Sequence, residues 1–201
     1  MAKIKYTKNE LKTQRDSLAR FQRYLPTLLL KKQQLQMEVR RIEALIAEKE
    51  GEEHRERAGL EGWVALFSEA GDGSTEVKVA AIRHAKGNIA GVEIPLLEGV
   101  EFEEQTTDLF LTPPWVDEGR RTMRHLILLR IQRQFYEEQR RLLVDELRVT
   151  TQRVNLFEKV KIPECRDNIR VIGIFLGDQM TAAVARSKIA KRKSMEKVRS
   201  S

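Results

Sequence analysis

The chain has 201 residues, of which 41% are hydrophobic, 6% aromatic and 33% charged, and its net charge is +7. The charged fraction exceeds the roughly 25% typical of globular domains. Low aromatic and high charged content favour long amphipathic helices over a thick globular core. Cys165 is the only cysteine, which excludes an intramolecular disulfide and is typical of a reducing compartment.

The sequence offers no segment that would place the chain in a membrane. No apolar run approaches the ~20 residues needed to span a bilayer. The first residues, Met1-Ala2-Lys3-Ile4-Lys5, lack the apolar region of a signal peptide. We therefore expect a cytoplasmic protein that does not insert into a membrane itself.

The first predicted element is a long helix that begins near Asn9, a candidate N-cap, and continues to about Ala70. Its apolar residues recur at the a and d positions of a seven-residue repeat, which predicts a coiled-coil seam over about five heptads. Pro26 interrupts this register, and because the pattern continues on both sides we expect a kink there. The predicted seam of this helix consists of Leu11, Leu18, Phe21, Leu25, Leu28, Leu35, Val39, Ile42 and Ile46.

Next comes a predicted insert over residues 71–117, which opens with the turn residues Gly71-Asp72-Gly73-Ser74. Short segments of strand character between residues 75 and 105 predict one or two β-hairpins, with turn residues at Lys86-Gly87-Asn88. We expect this insert to be exposed and to contact a partner, so that its deletion would spare the coiled coil. The predicted contact residues are Val77, Val79, Ile89, Val92 and Ile94.

A second long helix is predicted to begin near Asp117 and to run to about Lys193, with an interruption at Pro163. One set of apolar residues recurs at sevens, and a second set that lies one residue further along includes Tyr136, Leu143 and Phe157. Such an apolar stripe drifts around the helix. The set at sevens, taken as the seam, is Leu128, Phe135, Leu142, Val149 and Leu156.

Together these elements predict an all-α dominated fold, a long antiparallel two-helix coiled coil with a short β-hairpin insert at the hairpin end. The predicted segments of this one elongated domain are 1–70, 71–117 and 118–201. Counting residues from the turn places Pro26 and Pro163 at nearly the same height, where they would form a shared bend in the shaft.

Charge is concentrated at both ends of the chain. Residues 1–31 and residues 181–201 each carry a net charge of +6, whereas residues 32–180 carry −5. An antiparallel hairpin would bring both basic ends together, which predicts a basic tip for an acidic or anionic partner. A solvated basic C-terminus is the simpler alternative. The predicted tip residues are Lys8, Lys12, Arg15, Arg186, Lys188, Lys191 and Arg192.

The sequence contains no recognisable catalytic constellation, so we expect neither an enzyme nor a bound cofactor or metal. It lacks the G-x-x-x-x-G-K-[ST] phosphate loop. His54, His84 and His125 lack the spacing of metal ligands, and Cys165 is interpreted as a buried or incidental thiol.

Residues 153–163 read R-V-N-L-F-E-K-V-K-I-P. This stretch resembles the R-V-N-A-L-E-x-x-x-I-P of the D subunit of V-type and A-type rotary ATPases, with Leu156 for the usual Ala and Phe157 for the usual Leu. Residues 11–18 with 28–32 resemble the family's opening helix, and residues 88–92 its N-I-x-G-V. Pro26 and the pair Gly173 and Gly177 depart from the family pattern.

The resemblance implies a central rotor shaft that transmits torque between an ATP-hydrolysing or ATP-synthesising hexamer and a proton- or sodium-translocating ring. It implies as partners the catalytic and nucleotide-binding subunits of that hexamer, the small F subunit of the stalk and a funnel-like subunit on the ring. The chain would lie on the cytoplasmic side, attached to the membrane through the complex. The alternative is a coiled-coil adaptor or nucleic-acid-associated spacer with basic tips, although the tail lacks aromatic residues that would stack on bases.

Overall fold

The computed structural model describes residues 4–62, 65, 76–103, 113 and 115–199, with side chains as far as residue 196. It confirms a helical protein with one antiparallel β-hairpin. Within these ranges no helix is long and apolar enough to cross a membrane. In chain order the elements are α1 (Lys8–Leu60), β1 (Val79–Ile89), β2 (Val92–Phe102), α2 (Trp115–Asn155), a π-helical segment (Leu156–Lys161) and α3 (Ile162–Arg199).

Helix α1 begins and ends earlier than the sequence predicted. Thr7, not Asn9, caps it, because the Thr7 hydroxyl accepts a hydrogen bond of 3.2 Å from the Glu10 backbone N–H. Thr7 and Glu10 have the spacing of a capping box, a signal that favours this start. The helix continues through Pro26 and ends at Leu60, before the predicted end near Ala70.

The two strands form one hairpin that is longer than either predicted segment. Ile89 pairs with Val92, so Ala90 and Gly91 make the turn, and the predicted turn residues Lys86–Asn88 lie inside β1. Both turn residues have positive φ, 52° for Ala90 and 81° for Gly91. Asn88 stabilises the turn, because its side-chain oxygen accepts a hydrogen bond of 3.0 Å from the Gly91 N–H.

The returning chain changes helical register at the π-helical segment. There the Ile162 N–H bonds to the Phe157 carbonyl, five residues back, so the segment contains one residue more than an α-helix would. Pro163 follows in the first turn of α3, where a residue without an N–H is tolerated. The residues on the inward face reflect this insertion: they are Leu143, Leu147, Thr150, Val154 and Phe157 before it, and Ile162, Cys165, Ile169 and Ile172 after it.

One predicted seam residue lies outside the seam for this reason. Leu156 is 44% exposed, whereas the ring of the next residue, Phe157, packs against Phe21 with 4.9 Å between centroids. Two sets of apolar residues were candidates for the face of the returning chain that packs on α1. The set that faces α1 is the one that lies one residue beyond the set that recurs every seven residues. The remaining predicted residues of α2 are half-buried: Leu128, Phe135, Leu142 and Val149.

The chain divides into two compact units, unit 1 (Met1–Leu30 with Thr150–Ser201) and unit 2 (Lys31–Val149). In unit 1, α1 pairs with the returning chain in antiparallel fashion. The rings of Tyr6 and Phe175 lie 5.1 Å apart, and the Asn168 amide donates to the Gln14 side-chain oxygen at 3.4 Å. The seam residues that α1 contributes to this unit are all half-buried: Leu11, Leu18, Phe21, Leu25 and Leu28.

These pairings correct the expected height of the two prolines. Because Gln14 lies opposite Asn168 and Phe21 opposite Phe157, Pro163 is level with the stretch between Gln14 and Phe21. Pro26 lies farther along α1. The prediction of equal height was wrong because of where the helices end. Helix α1 ends at Leu60 and α2 begins at Trp115, so fewer residues separate Pro26 from the end of α1 than separate Pro163 from the start of α2.

Candidate functional site

The basic end of the molecule belongs to unit 1. The contact between Tyr6 and Phe175 brings the beginning of α1 beside α3, and α3 then continues for several turns beyond it. Every residue from Gly177 to Glu196 is exposed. All seven predicted tip residues are exposed as well, three on α1 (Lys8, Lys12, Arg15) and four on α3 (Arg186, Lys188, Lys191, Arg192).

The exposed part of α3 is apolar as well as basic. Among its exposed side chains are Met180, Val184, Ile189 and Met195, which alternate along the helix with the cationic residues. A helix that exposes both apolar and cationic side chains fits a partner that offers both apolar and acidic groups.

In unit 2 the β-hairpin packs onto the helices. Ile94 is 2% exposed and belongs to the same core cluster as Leu143 of α2. Ile89, Ala90 and Val92 pack against that cluster. The α1 residues of the cluster are predicted seam residues, Leu35, Val39, Ile42 and Ile46.

The structure thus places the five predicted contact residues of the insert in two different environments. Ile94 is in the core, and Ile89 and Val92 are packed against it, so these three face the chain's own helices. Val77 is half-buried and Val79 is exposed. Packing of Ile94 into the core is at odds with the expectation that deletion of the insert would spare the coiled coil.

Polar and aromatic contacts also join the hairpin to α2. The Gln139 side-chain amide donates a hydrogen bond of 2.6 Å to the Pro95 carbonyl, and Gln139 is only 5% exposed. Nearby, the rings of His84 and Phe135 lie 6.3 Å apart. These two contacts surround a groove of about 270 Å³ lined by His84, Pro95, Gln134, Phe135 and Glu138.

Ion pairs join α1 to α2 directly. Lys31 Nζ lies 2.5 Å from Glu146 Oε1. Further along, the buried carboxylate of Glu53 lies 2.6 Å from Arg57 of its own helix and 3.4 Å from Arg133 of α2. A buried carboxylate that keeps its charge must be paired, so this contact favours one alignment of the two helices.

Hydrogen bonding and burial shift the pKa values of several side chains. A hydrogen bond from Lys49 lowers the pKa of Glu52, and the same bond raises the pKa of Lys49. Burial raises the pKa of the Cys165 thiol, and the nearby Glu164 carboxylate adds to this effect. A thiol held in its neutral form is a poor nucleophile. Within the described ranges, no group of three or more His, Cys, Asp or Glu residues could hold a metal ion.

The fold and these surfaces define an antiparallel coiled-coil protein with an exposed basic end and a β-hairpin packed on its helices. A family profile described as the D subunit of ATP synthase matches residues 10–192. The V-type ATP synthase D subunit of Borreliella burgdorferi is 46% identical over 201 residues, which cover 100% of both chains. The protein of the same name from Chlamydia pneumoniae is 34% identical over 94% of this chain and 92% of its own. The chain therefore belongs to the D-subunit family of ATP synthases.

Proposed function

We propose that this chain is the central rotor shaft of a V-type rotary ATPase, and that it transmits torque between the catalytic hexamer and the ion-translocating ring. The observation that carries this proposal is similarity over the whole chain to proteins named as the D subunit of V-type ATP synthase. An antiparallel pair of long helices suits the role of a shaft. Nothing comparable supports the adaptor or nucleic-acid alternative.

In this role the chain performs no ATP chemistry of its own. Its partners are the catalytic and nucleotide-binding subunits of the hexamer, the small F subunit of the stalk, and the funnel-like subunit on the membrane ring. It lies at the cytoplasmic face and is attached to the membrane only through the complex. Rotation of an asymmetric shaft changes the contact at each catalytic interface in turn.

The basic end is proposed to enter the hexamer. Support comes from the exposure of all seven tip residues and of apolar residues on the same helix α3. Long-range attraction to an acidic bearing holds such an end in place without fixed ion pairs, and so it allows rotation. Because exposed charges are screened by salt, this attraction weakens as ionic strength rises.

The proposed role is tested by reconstitution. The tagged full chain is mixed with the two large nucleotide-binding subunits and the small stalk subunit, and the assembly is isolated by gel filtration. We expect one copy of the chain in a stable complex with the hexamer. Failure to join the hexamer at low salt, with nucleic acid bound instead, would favour the adaptor alternative.

The tip residues are tested by charge reversal. We expect Arg186→Glu with Lys188→Glu and Lys191→Glu to weaken binding to the hexamer by at least about tenfold at low salt, and by less at high salt. The matched control reverses three exposed arginines of unit 2, Arg40, Arg140 and Arg148. Equal binding by both variants would remove the basic end from the hexamer interface.

A further inference from the structure

The β-hairpin follows the helices of unit 2 from its root to its tip. Near the root, the Arg124 guanidinium lies over the Phe102 ring, 5.8 Å from its centroid. Midway, Gln139 bonds to the Pro95 carbonyl. At the tip, a Cβ on Gly91 would lie 4.0 Å from Lys31 Nζ. As the residue numbers of β2 fall, those of its partners on α2 rise, so the strand lies along α2 in antiparallel fashion.

The tip lies where α1 and α2 are themselves joined. Lys31, the neighbour of Gly91, forms the ion pair with Glu146 across the two helices. The tip of the hairpin therefore lies close to α1 as well as to α2.

The core beneath the hairpin consists of three elements. Ile94 of β2 is almost as well buried as the best-covered residues of α1 and α2 with which it clusters. An isolated two-helix seam is open to water along both of its sides, because each helix covers only one face of the other. Here the hairpin covers one of these sides over the stretch from Leu35 to Ile46.

A buried polar bond fixes where the hairpin lies. Pro95 has no N–H, and its carbonyl accepts the hydrogen bond from Gln139. Gln139 is almost completely buried, so its amide group would lose this bond without access to water if the hairpin shifted. The apolar and polar contacts thus specify the same position.

We propose that the hairpin, residues 79–102, is an intramolecular clasp that closes the α1–α2 seam over residues 35–46. Separation of the two helices in this stretch requires release of the hairpin first. The consequence for a rotor, a shaft that resists unwinding under torque, rests on the proposed function. The clasp itself does not, because its contacts lie within one chain.

The test is hydrogen exchange on the full chain with Ile94→Asp, which places a carboxylate in the core. We expect backbone amides of residues 35–46 and 139–147 to exchange at least about tenfold faster than in the unmodified chain. The matched control is Ile82→Asp, the same change at an exposed position of β1. We expect exchange in the control to stay within about twofold at these amides, and the amides of residues 8–30 to serve as an internal reference.

Milder variants decide the matter if Ile94→Asp does not fold. Ile94→Ala removes apolar packing between the hairpin and the helices, and Gln139→Ala removes the hydrogen bond to the Pro95 carbonyl. We expect each variant to accelerate exchange in the same two helical stretches, by about threefold or more. Faster exchange in the hairpin alone, with both helical stretches unchanged, would overturn the clasp and identify the hairpin as an independent arm. Because no partner is present in the experiment, failure of the chain to join a hexamer would count against the rotor function and not against the clasp.

Discussion

Helix α1 follows one heptad pattern in both units, yet its seam residues are buried to different degrees. In unit 2, Leu35 is 0% exposed, and Val39, Ile42 and Ile46 are buried with it. In unit 1, Leu18, like the other seam residues of α1, is only half-buried. The same residue types at the same spacing therefore do not determine burial. The difference lies in what covers them: two elements in unit 2, α2 and the hairpin, against one returning helix in unit 1.

A two-helix seam alone therefore gives limited protection from water. Unit 1 compensates with ring contacts, such as those of Phe21 with Phe157 and Tyr6 with Phe175. Large aromatic rings cover a wide area of the partner helix. Unit 2 instead adds a third element. We therefore expect unit 2 to contain the more stable core.

The largest effect is expected from truncation of matched leucines on α1. Leu35→Ala should lower the free energy of unfolding by about 3 kcal/mol, because it leaves a cavity in a closed core. Leu25→Ala, at a half-buried position of unit 1, should cost about 1 kcal/mol, because water fills the space. Urea unfolding followed by circular dichroism measures both. Equal losses would show that α1 is equally well protected from water in the two units.

An intermediate effect of opposite sign is expected at the hairpin turn. Ala90 has a positive φ, which costs a residue with a side chain roughly 1 kcal/mol, and glycine removes that cost. Ala90→Gly should therefore raise the stability of unit 2 by up to about 1 kcal/mol. Ala81→Gly, at an exposed position of β1 that pairs with Glu101, is the control and should lower it. Because Ala90 also packs against the core cluster, a loss of stability in Ala90→Gly would show that this packing outweighs the strain of the turn.

The smallest effect concerns the thiol of unit 1. Burial raises the pKa of Cys165, so the folded chain holds the thiol proton more tightly than the unfolded chain does. This contribution to stability is present at pH values below the ordinary thiol pKa and is lost as pH rises beyond it.

Alkylation of Cys165 by iodoacetamide, followed by mass spectrometry, measures the consequence. We expect the folded chain to react at least about tenfold more slowly than the chain in urea at the same pH, because the thiol is both buried and neutral. Equal rates would mean that the helix pair of unit 1 opens freely, which would sharpen the contrast with unit 2.

Much of this architecture could be predicted from sequence, because it depends on local periodicity. The heptads of α1 indicated the residues that are buried in unit 2, and alternating residues indicated a hairpin. The π-helical segment could not be predicted from the pattern of apolar residues. The second long helix carries two candidate apolar stripes, one residue apart, and the sequence alone does not show where one extra residue is inserted into the helix. Leu156 was misplaced for that reason. The packing of Ile94 escaped detection because the periodicity of a strand does not specify which element covers it.

For the functional surfaces, sequence predicted the basic residues and the insert but not their surroundings. Exposure of the tip follows from charge, which is costly to bury. Burial of Gln139 does not follow from its residue type, because it depends on the carbonyl of Pro95, distant in sequence. Such tertiary contacts become visible only in the folded chain.

The central claim is that this chain turns inside a catalytic hexamer. Its most direct test attaches a bead to the exposed hairpin residue Ile82 through an introduced cysteine, with Cys165 replaced by serine, and immobilises the reconstituted hexamer on a surface. On addition of ATP, we predict unidirectional rotation of the bead. A stationary bead on a hexamer that hydrolyses ATP at its full rate would contradict the account.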